Sequence, residues 1–262
     1  MKIKGVLLFI FIAISISAFS QRWKLTRYEA LFGIGSTNIY GDIGGTADAS
    51  NLFGLKDIKI SETRYAFYLG GRYKIQKDLA IKVNLIYGRG YGTDIASKNE
   101  GYRGYSFTTN IFEPSFQVEY SFLSEERRIA VSKLYNRRGM VNNIAMLSAY
   151  GFAGAGGVIY SPKLDFHGKT PYSIETTTGY SKAGLVLPVG LGIKYVIDKQ
   201  WSIGFEFGRR FAFTDYIDGI STTISKANDT YYFGIFQAVY KLKTNRQGIP
   251  EIFARPLNKR GI

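Results

Sequence analysis

Between Tyr28 and Leu242 the chain repeats one pattern, about ten residues of alternating apolar and polar character followed by a turn. In the segment 28–40, Tyr28, Ala30, Phe32 and Ile34 share one face, and Glu29, Gly33 and Gly35 the other. In 64–75, Tyr65, Phe67, Leu69, Tyr73 and Ile75 oppose Arg64, Tyr68, Arg72 and Lys74. In 79–92, Leu79, Ile81, Val83, Leu85 and Tyr87 oppose Lys82, Asn84 and Gly88. In 107–123, Phe112, Phe116, Val118, Tyr120 and Phe122 oppose Glu113, Ser115, Gln117, Glu119 and Ser121. A glycine-rich segment, 146–160, follows, and then 182–197 aligns Leu185, Leu187, Val189, Leu191, Ile193 and Tyr195. The segment 201–214 sets Trp201, Ile203, Phe205, Phe207, Phe211 and Phe213 against Ser202, Gly204, Glu206, Gly208 and Arg210. The last, 231–242, is apolar on both faces, so its register is the hardest to read. A period of two is the mark of strands, and it predicts eight of them.

Eight apolar faces need a common place to go. A soluble sandwich would bury them between two sheets, but its core would then be very aromatic while the opposite faces are small, charged and glycine-rich. A transmembrane antiparallel barrel accounts for both faces at once: lipid covers the apolar side, and a narrow polar lumen takes the small and ionised groups. Segments near ten residues suit a tilted crossing of the hydrocarbon layer. Tyr40, Tyr73, Tyr87, Tyr120, Tyr160, Tyr195, Trp201 and Tyr240, near segment ends, are expected in the interfacial aromatic girdles. Pro114 and Pro188 lie inside predicted strands, and each is expected to mark a bulge, because proline cannot donate to the ladder. The uncharged stretch 140–162 also reads as a transmembrane helix, but Gly151, Gly154, Gly156 and Gly157 weaken that reading.

Composition agrees with an all-β chain: of 262 residues, 20 are Tyr, 19 Phe and 30 Gly. With no cysteine there is no disulfide framework, thiolate metal site or lipid-anchored N-terminal Cys. With one histidine, His167, a His-based metal centre or triad has little to draw on. Lys2 and Lys4 precede an apolar run from Val6 to Phe19, and Ala18-Phe19-Ser20 supplies a small-x-small cleavage pattern. Residues 1–20 therefore read as a signal peptide cut between Ser20 and Gln21, the alternative being an uncleaved anchor with a rather short apolar run. Residues 21–243 form the barrel and 244–262 a periplasmic tail. The formal charge of +14 falls on a chain exported from the cytoplasm. No nucleic-acid-binding pattern accompanies it, so it points to anionic lipid headgroups or an acidic partner.

An even strand number puts both chain ends on one side, expected to be the periplasm. The turns at 76–78 and 198–200 on that side are short, and the connections near 41–63, 93–106, 161–180 and 215–229 on the other side are long and polar. The long connection 124–145 breaks the rule. It carries Arg127, Arg128, Lys133, Arg137 and Arg138, and the tail on the same side adds Lys259 and Arg260 among its basic residues. These read either as a solvated turn with a frayed terminus or as a docking surface for a periplasmic partner.

The inward positions carry Glu29, Arg72, Lys74, Lys82, Glu113, Glu119, Lys182, Lys194, Glu206 and Arg210, expected to pair as a structural charge network. Glu206 and Arg210 are too far apart along one strand to pair with each other, so each is expected to pair with a neighbouring strand. Carboxylate chemistry needs a substrate cleft, and an eight-stranded lumen is nearly filled by side chains, so no catalytic residue, small-molecule substrate, cofactor or metal is expected. His167 near Asp165 and Ser161 reads as a surface histidine. Gly151 to Gly157 lacks the GK[ST] ending of a phosphate loop.

The stretch LPVGLGIKYVIDKQWSIGFEFGRRFAFTDYIDGIS, Leu187 to Ser221, resembles the PorG-like outer-membrane barrel family of Bacteroidota, most densely over Phe213 to Ser221 and Trp201 to Gly208. ALFGIGSTNIYGDIGG, Ala30 to Gly45, is similar to that family's opening strand and loop. The resemblance implies a component of the type IX secretion and gliding machinery that meets a periplasmic PorK/PorN ring, and it implies no catalytic residues. The alternative from the residues alone is a passive small outer-membrane barrel, a narrow pore or a surface adhesion module.

Overall fold

The computed structural model describes residues 26–43, 59–94, 104–124, 146–167, 175–176, 179–222, 228–245 and 249–251. Eight strands close into one antiparallel barrel: β1 (Tyr28–Tyr40), β2 (Arg64–Lys74), β3 (Leu79–Thr93), β4 (Ser106–Leu123), β5 (Leu147–Asp165), β7 (Ala183–Val196), β8 (Trp201–Ala212) and β10 (Thr230–Lys241). Each barrel strand pairs with the barrel strands before and after it in the chain, and β10 closes the ring on β1 over the register Glu29↔Lys241 to Tyr40↔Thr230. Two short strands, β6 (Glu175–Thr176) and β9 (Ser221–Thr222), pair with each other outside the barrel. They lie inside stretches read from sequence as plain connections. Closure leaves no sheet edge, the condition for a sheet to stand in lipid.

The alternation sorts the side chains as the pattern predicts. Phe32, Ile34, Phe67, Val83, Phe116, Leu185, Leu191 and Phe236 face outward and exposed, while Glu29, Arg72, Lys82, Glu119 and Glu206 are buried in the lumen. An apolar belt of this kind is stable only against hydrocarbon. At the short-turn end Tyr28 packs on Tyr73 with ring centroids 4.9 Å apart, and Trp201 on Tyr240 at 4.8 Å. Tyr160 departs from the expected girdle. It falls on the inward parity of β5, is buried, and its hydroxyl donates to the Ser181 carbonyl and bonds Thr214 Oγ1 at 2.8 Å.

Neither proline makes a bulge. The β4–β5 register is the same at Phe112↔Ile159 and Ser115↔Gly156 on either side of Pro114, and the β5–β7 register is the same at Ala153↔Val189 and Gly156↔Val186 around Pro188. Pairing lapses beside each ring and resumes in step. The shift in register lies at Ser121/Leu123. Strand β5 also runs five residues past its predicted end, because β4 continues beside it up to Ser106↔Asp165.

The start of β1, the end of β10, and the turns at 75–78 and 197–200 share one end of the barrel, called here the short-turn end. Leaving β4, Ser124 donates to the Lys77 carbonyl there. Most of the buried apolar core sits at the other, long-loop end of the lumen, where Ile39, Phe107, Ile111, Val158, Tyr160 and Phe233 meet. The predicted signal segment 1–20 with Ser20 and Gln21, the basic residues Arg127, Arg128, Lys133, Arg137 and Arg138, and Lys259 and Arg260 lie outside the described residues. Of the predicted tail, Thr244 and Pro250 form an antiparallel bridge.

Candidate functional site

The lumen between the short turns and mid-barrel holds a continuous charge network. Glu29 of β1 lies directly opposite Arg72 of β2 in the ladder and bonds Arg72 Nη1 at 2.8 Å. Its other oxygen takes Lys74 Nζ at 2.9 Å and, from the opposite wall, Lys194 Nζ at 3.4 Å. Arg72 reaches on through Nε to Glu119 at 2.6 Å. Lys82, with no exposure to solvent, bridges Glu119 at 2.8 Å and Glu206 at 2.7 Å. Glu206 Oε1 also accepts from Tyr150 Oη at 2.6 Å and from Gln237 Nε2 at 3.0 Å. One layer higher, Arg210 approaches Glu113 at 3.5 Å and donates to the Gly208 carbonyl, while Tyr231 donates to Glu113 at 2.7 Å.

The structure thus brings together Glu29, Arg72, Lys82, Glu119, Lys194 and Glu206, with Glu113 and Arg210 above them. The pairing differs from expectation in one respect. Glu206 and Arg210 of β8 find their charged partners, Lys82 and Glu113, on β3 and β4 across the lumen, while the flanking β10 gives Glu206 only the neutral Gln237. A narrow barrel makes the opposite wall as near as the adjoining strand. Lys182 does not join the network. It precedes β7, is exposed, and offers its carbonyl to the Tyr160 N–H.

Glycines on β7 and β8 make the room for this arrangement. A side chain at Gly192 would strike the Tyr150 ring, and a Cβ on Gly190 or Gly208 would meet Phe152 at 2.5 and 2.7 Å. Tyr150 and Phe152 therefore lie across the lumen over a glycine floor, and Lys82 Nζ sits 4.9 Å from the Phe152 ring centroid. A cleft at the short-turn end, lined in part by Arg72, Lys74, Glu119, Tyr150 and Lys194, holds about 20 Å³. That is room for about one water and nothing larger. This filled section favours a structural lumen over a solute path. A groove of about 730 Å³ on the outer wall, flanked by Phe32, Phe205 and Phe236, opens toward the apolar belt.

A second charged group gathers at the long-loop end, where the chain leaves β1 at Gly41, leaves β8 through Asp215 and Asp218, and enters β10 at Asp229. Asp218 accepts the N–H of Ile43 at 3.2 Å through one oxygen and that of Ile220 at 3.0 Å through the other. Asp229 Oδ2 accepts the Ile217 N–H at 2.7 Å, and Asp215 accepts the Ser221 hydroxyl at 2.7 Å. Burial pushes the Asp218 carboxyl up to about 7; the Asp42 and Asp215 carboxylates add to the rise, against the two N–H bonds. Burial, then the Asp218 and Asp215 charges, holds Asp229 well above the ordinary carboxylate range. Sequence reasoning assigned no role to these four aspartates. The one signal was the setting of Asp42, Asp215 and Asp218 in Gly41-Asp42 and TDYIDGIS, the stretches that carry the family resemblance; Asp229 lies outside both.

His167 finds Ser106, not Ser161: its Nε2 lies 3.0 Å from Ser106 Oγ. Asp165 Oδ1 accepts the His167 backbone N–H at 2.9 Å, and the ring Nδ1 is 3.7 Å from Asp165 Oδ2, beyond hydrogen-bond range. Asp165 therefore fixes the turn in which His167 takes its positive φ of 47°, and it does not orient the ring. Among the described residues no three His, Asp or Glu side chains converge as a metal site.

A family model described as a domain of unknown function, DUF6089, matches residues 4–239. No curated protein matches the chain in sequence. Among solved structures the chain is similar to Neisserial surface protein A, at 10% identity and a TM-score of 0.41, covering 82% of this chain and 96% of that one. It is similar to the attachment invasion locus protein Ail of Yersinia pestis in complex with a heparin analogue, at 11% and 0.38, covering 82% and 96%. OprG of Pseudomonas aeruginosa follows at 9% and 0.37, covering 84% and 97%.

Proposed function

The chain belongs to the DUF6089 family, and we propose that it is a non-enzymatic outer-membrane barrel serving as a structural component of the type IX secretion and gliding machinery. In this reading residues 1–20 direct export and are removed, both termini are periplasmic, and PorK/PorN-type ring proteins dock on the periplasmic face. The observation that carries the structural role is the filled, internally paired lumen. A barrel closed by Arg72, Lys82, Glu119 and Glu206 offers its partners surfaces instead of a conduit. The secretion assignment is supported by the resemblance over Leu187 to Ser221. The docking face is supported by topology: the ends flanking 124–145 and the end of β10 share the short-turn side, and both connect to basic sequence.

The test is capture of ring proteins from detergent-solubilised membranes. Reversing Arg127, Arg128, Arg137 and Arg138 to Glu is expected to weaken capture while leaving the heat-modifiable mobility of the folded barrel unchanged, with a smaller difference at high salt. Substitutions in 161–180 are expected to leave capture intact. If the reversed protein captures the same ring proteins and secretion proceeds, docking through this segment fails. If the natural chain captures none, the barrel is a passive one.

A further inference from the structure

We propose that Asp229 and Asp218 share one proton at the long-loop end, forming a latch that ties the connections after β1 and β8 to the start of β10 and opens when the proton leaves. The proposal goes beyond the secretion reading and does not depend on it. It begins with hydrogen-bond accounting. Both Asp218 oxygens already accept backbone N–H groups, from Ile43 and Ile220, and Asp229 Oδ2 accepts from Ile217. Asp229 Oδ1 is buried and has no hydrogen-bond partner. It lies beside Asp218: a Cβ built on Gly41 would sit 2.6 Å from Asp229 Oδ1 and 2.5 Å from Asp218 Oδ2, so the two oxygens are within about 5 Å of each other. Two buried carboxylates this close do not both stay ionised without a counter-charge.

Among the described residues neither Asp218 nor Asp229 forms an ion pair, and the charges acting most strongly on them are carboxylates: Asp42 from the connection after β1 and Asp215 from that after β8 act on both, and Asp218 acts on Asp229. The other titratable groups in reach are phenols, Tyr160 of β5, Tyr180 ahead of β7, and Tyr216, which stacks on Tyr180 with centroids 4.7 Å apart. Phenols stay neutral below about pH 10 and contribute no charge in the relevant range. Among the described residues these acids do not converge into a metal-ligand set. A proton is the remaining neutraliser, and the accounting says where it sits. Asp229 Oδ1 carries it and donates to Asp218 Oδ2. In the protonated latch Ile43, Ile217 and Ile220 are held through the two side chains. As the pH rises the proton passes to water or hydroxide, two facing carboxylates remain, and their repulsion breaks the tie.

The sign follows from linkage. A carboxyl raised in the folded state adds stability below its unfolded value, near 3.9, and loses it as the pH climbs through the folded value. For Asp218 that value is about 7. Hydrogen exchange of the Ile43, Ile217 and Ile220 amides, followed by NMR on the full chain in lipid nanodiscs and corrected for intrinsic rate, reads the latch directly. Protection is expected to fall by up to roughly tenfold per pH unit between about pH 4 and pH 7, and to level off above that. Asp229→Asn places an amide N–H where the proton sat and keeps the oxygen for Ile217, so its protection should be flat with pH. Asp218→Asn must turn an N–H toward a backbone N–H and should lower protection at every pH. A pH response in Asp229→Asn equal to the natural chain's would overturn the latch. So would protection above pH 7 that depends on added calcium, because a cation would then hold the pair. Should Asp229→Asn fail to fold, carboxyl-carbon titration of the natural chain still decides: both carboxyls titrating below about pH 5 overturns the proposal, and one titrating near 7 supports it.

Discussion

The two ends of the barrel treat buried carboxylates in opposite ways. Toward the short turns, Glu29, Glu119 and Glu206 each meet at least two cationic side chains, and all three are tied to one Arg72. At the long loops, Asp218 and Asp229 meet backbone N–H groups and other aspartates. Both arrangements hide acids from water. The first neutralises them with fixed cations borne by strands that lipid holds in place. The second ties irregular backbone, whose N–H groups have no ladder partner, and so uses acids as acceptors. Permanent ion pairs suit a wall that must not move, and N–H bonds to titratable acids suit loops whose closure depends on conditions.

The largest expected effect is in the paired region. Lys82→Met removes the bridge between Glu119 and Glu206 and leaves their charges to Arg72 alone. Breaking a buried pair from one side costs about 3–5 kcal/mol. Urea unfolding from phospholipid vesicles should show a loss of that size. Adding Glu206→Gln should recover part of it, giving a coupling of about 0.5–3 kcal/mol. Strictly additive losses would mean that the lumen charges act independently and that the contrast between the two ends is one of position only.

Much of this wall was legible from alternation. The inward parity of Glu29, Arg72, Lys82, Glu119 and Glu206 follows from a period of two, since one face of each strand must meet lipid. The partners were not legible. Closure sets Lys82 of β3 against Glu206 of β8, and nothing local in either strand encodes that meeting. Tyr160 misled because an aromatic near a strand end suits a girdle, whereas its parity already pointed inward. The acidic cluster was hidden for a different reason: Asp42 comes from the connection after β1 and Asp218 and Asp229 from that between β8 and β10, where no periodicity ties sequence to contact. For the same reason His167 was matched to Ser161 beside it in sequence, and not to Ser106 across the ladder.

A smaller effect separates outside from inside at one position of β7. Leu191 is 65% exposed on the outer wall, and Gly192 lies against Tyr150 in the lumen. Leu191→Arg should cost ~2–4 kcal/mol if it sits near the bilayer midplane. Gly192→Ala, which drives a methyl into the Tyr150 ring, should cost about 1–3 kcal/mol by overpacking. The same vesicle unfolding measures both. Leu191→Arg with unchanged folding would remove lipid from that face and with it the transmembrane reading of the strand.

The smallest expected effect sharpens the comparison most directly, because it uses an aspartate at the short-turn end with the opposite titration. Asp198 is exposed in the turn between β7 and β8, and its Oδ1 accepts the N–H groups of Gln200 at 2.7 Å and Trp201 at 2.6 Å. The Trp201 and then the Gln200 N–H bond hold its carboxyl below the ordinary range. A lowered carboxyl adds stability above its unfolded value and loses it as the pH falls through the folded one. Protection of the Gln200 and Trp201 amides should therefore hold through neutrality and fall only below about pH 4, while that of Ile43, Ile217 and Ile220 falls as the pH rises from about 4 to about 7. Asp198→Ala should abolish the acid response at Gln200 and Trp201 and leave the loss on rising pH at the other end unchanged. One exchange series thus reads both ends of the same barrel. If both sets of amides lost protection in the same direction of pH, the difference between an acid exposed on a tight turn and acids buried against each other would not be governing either end.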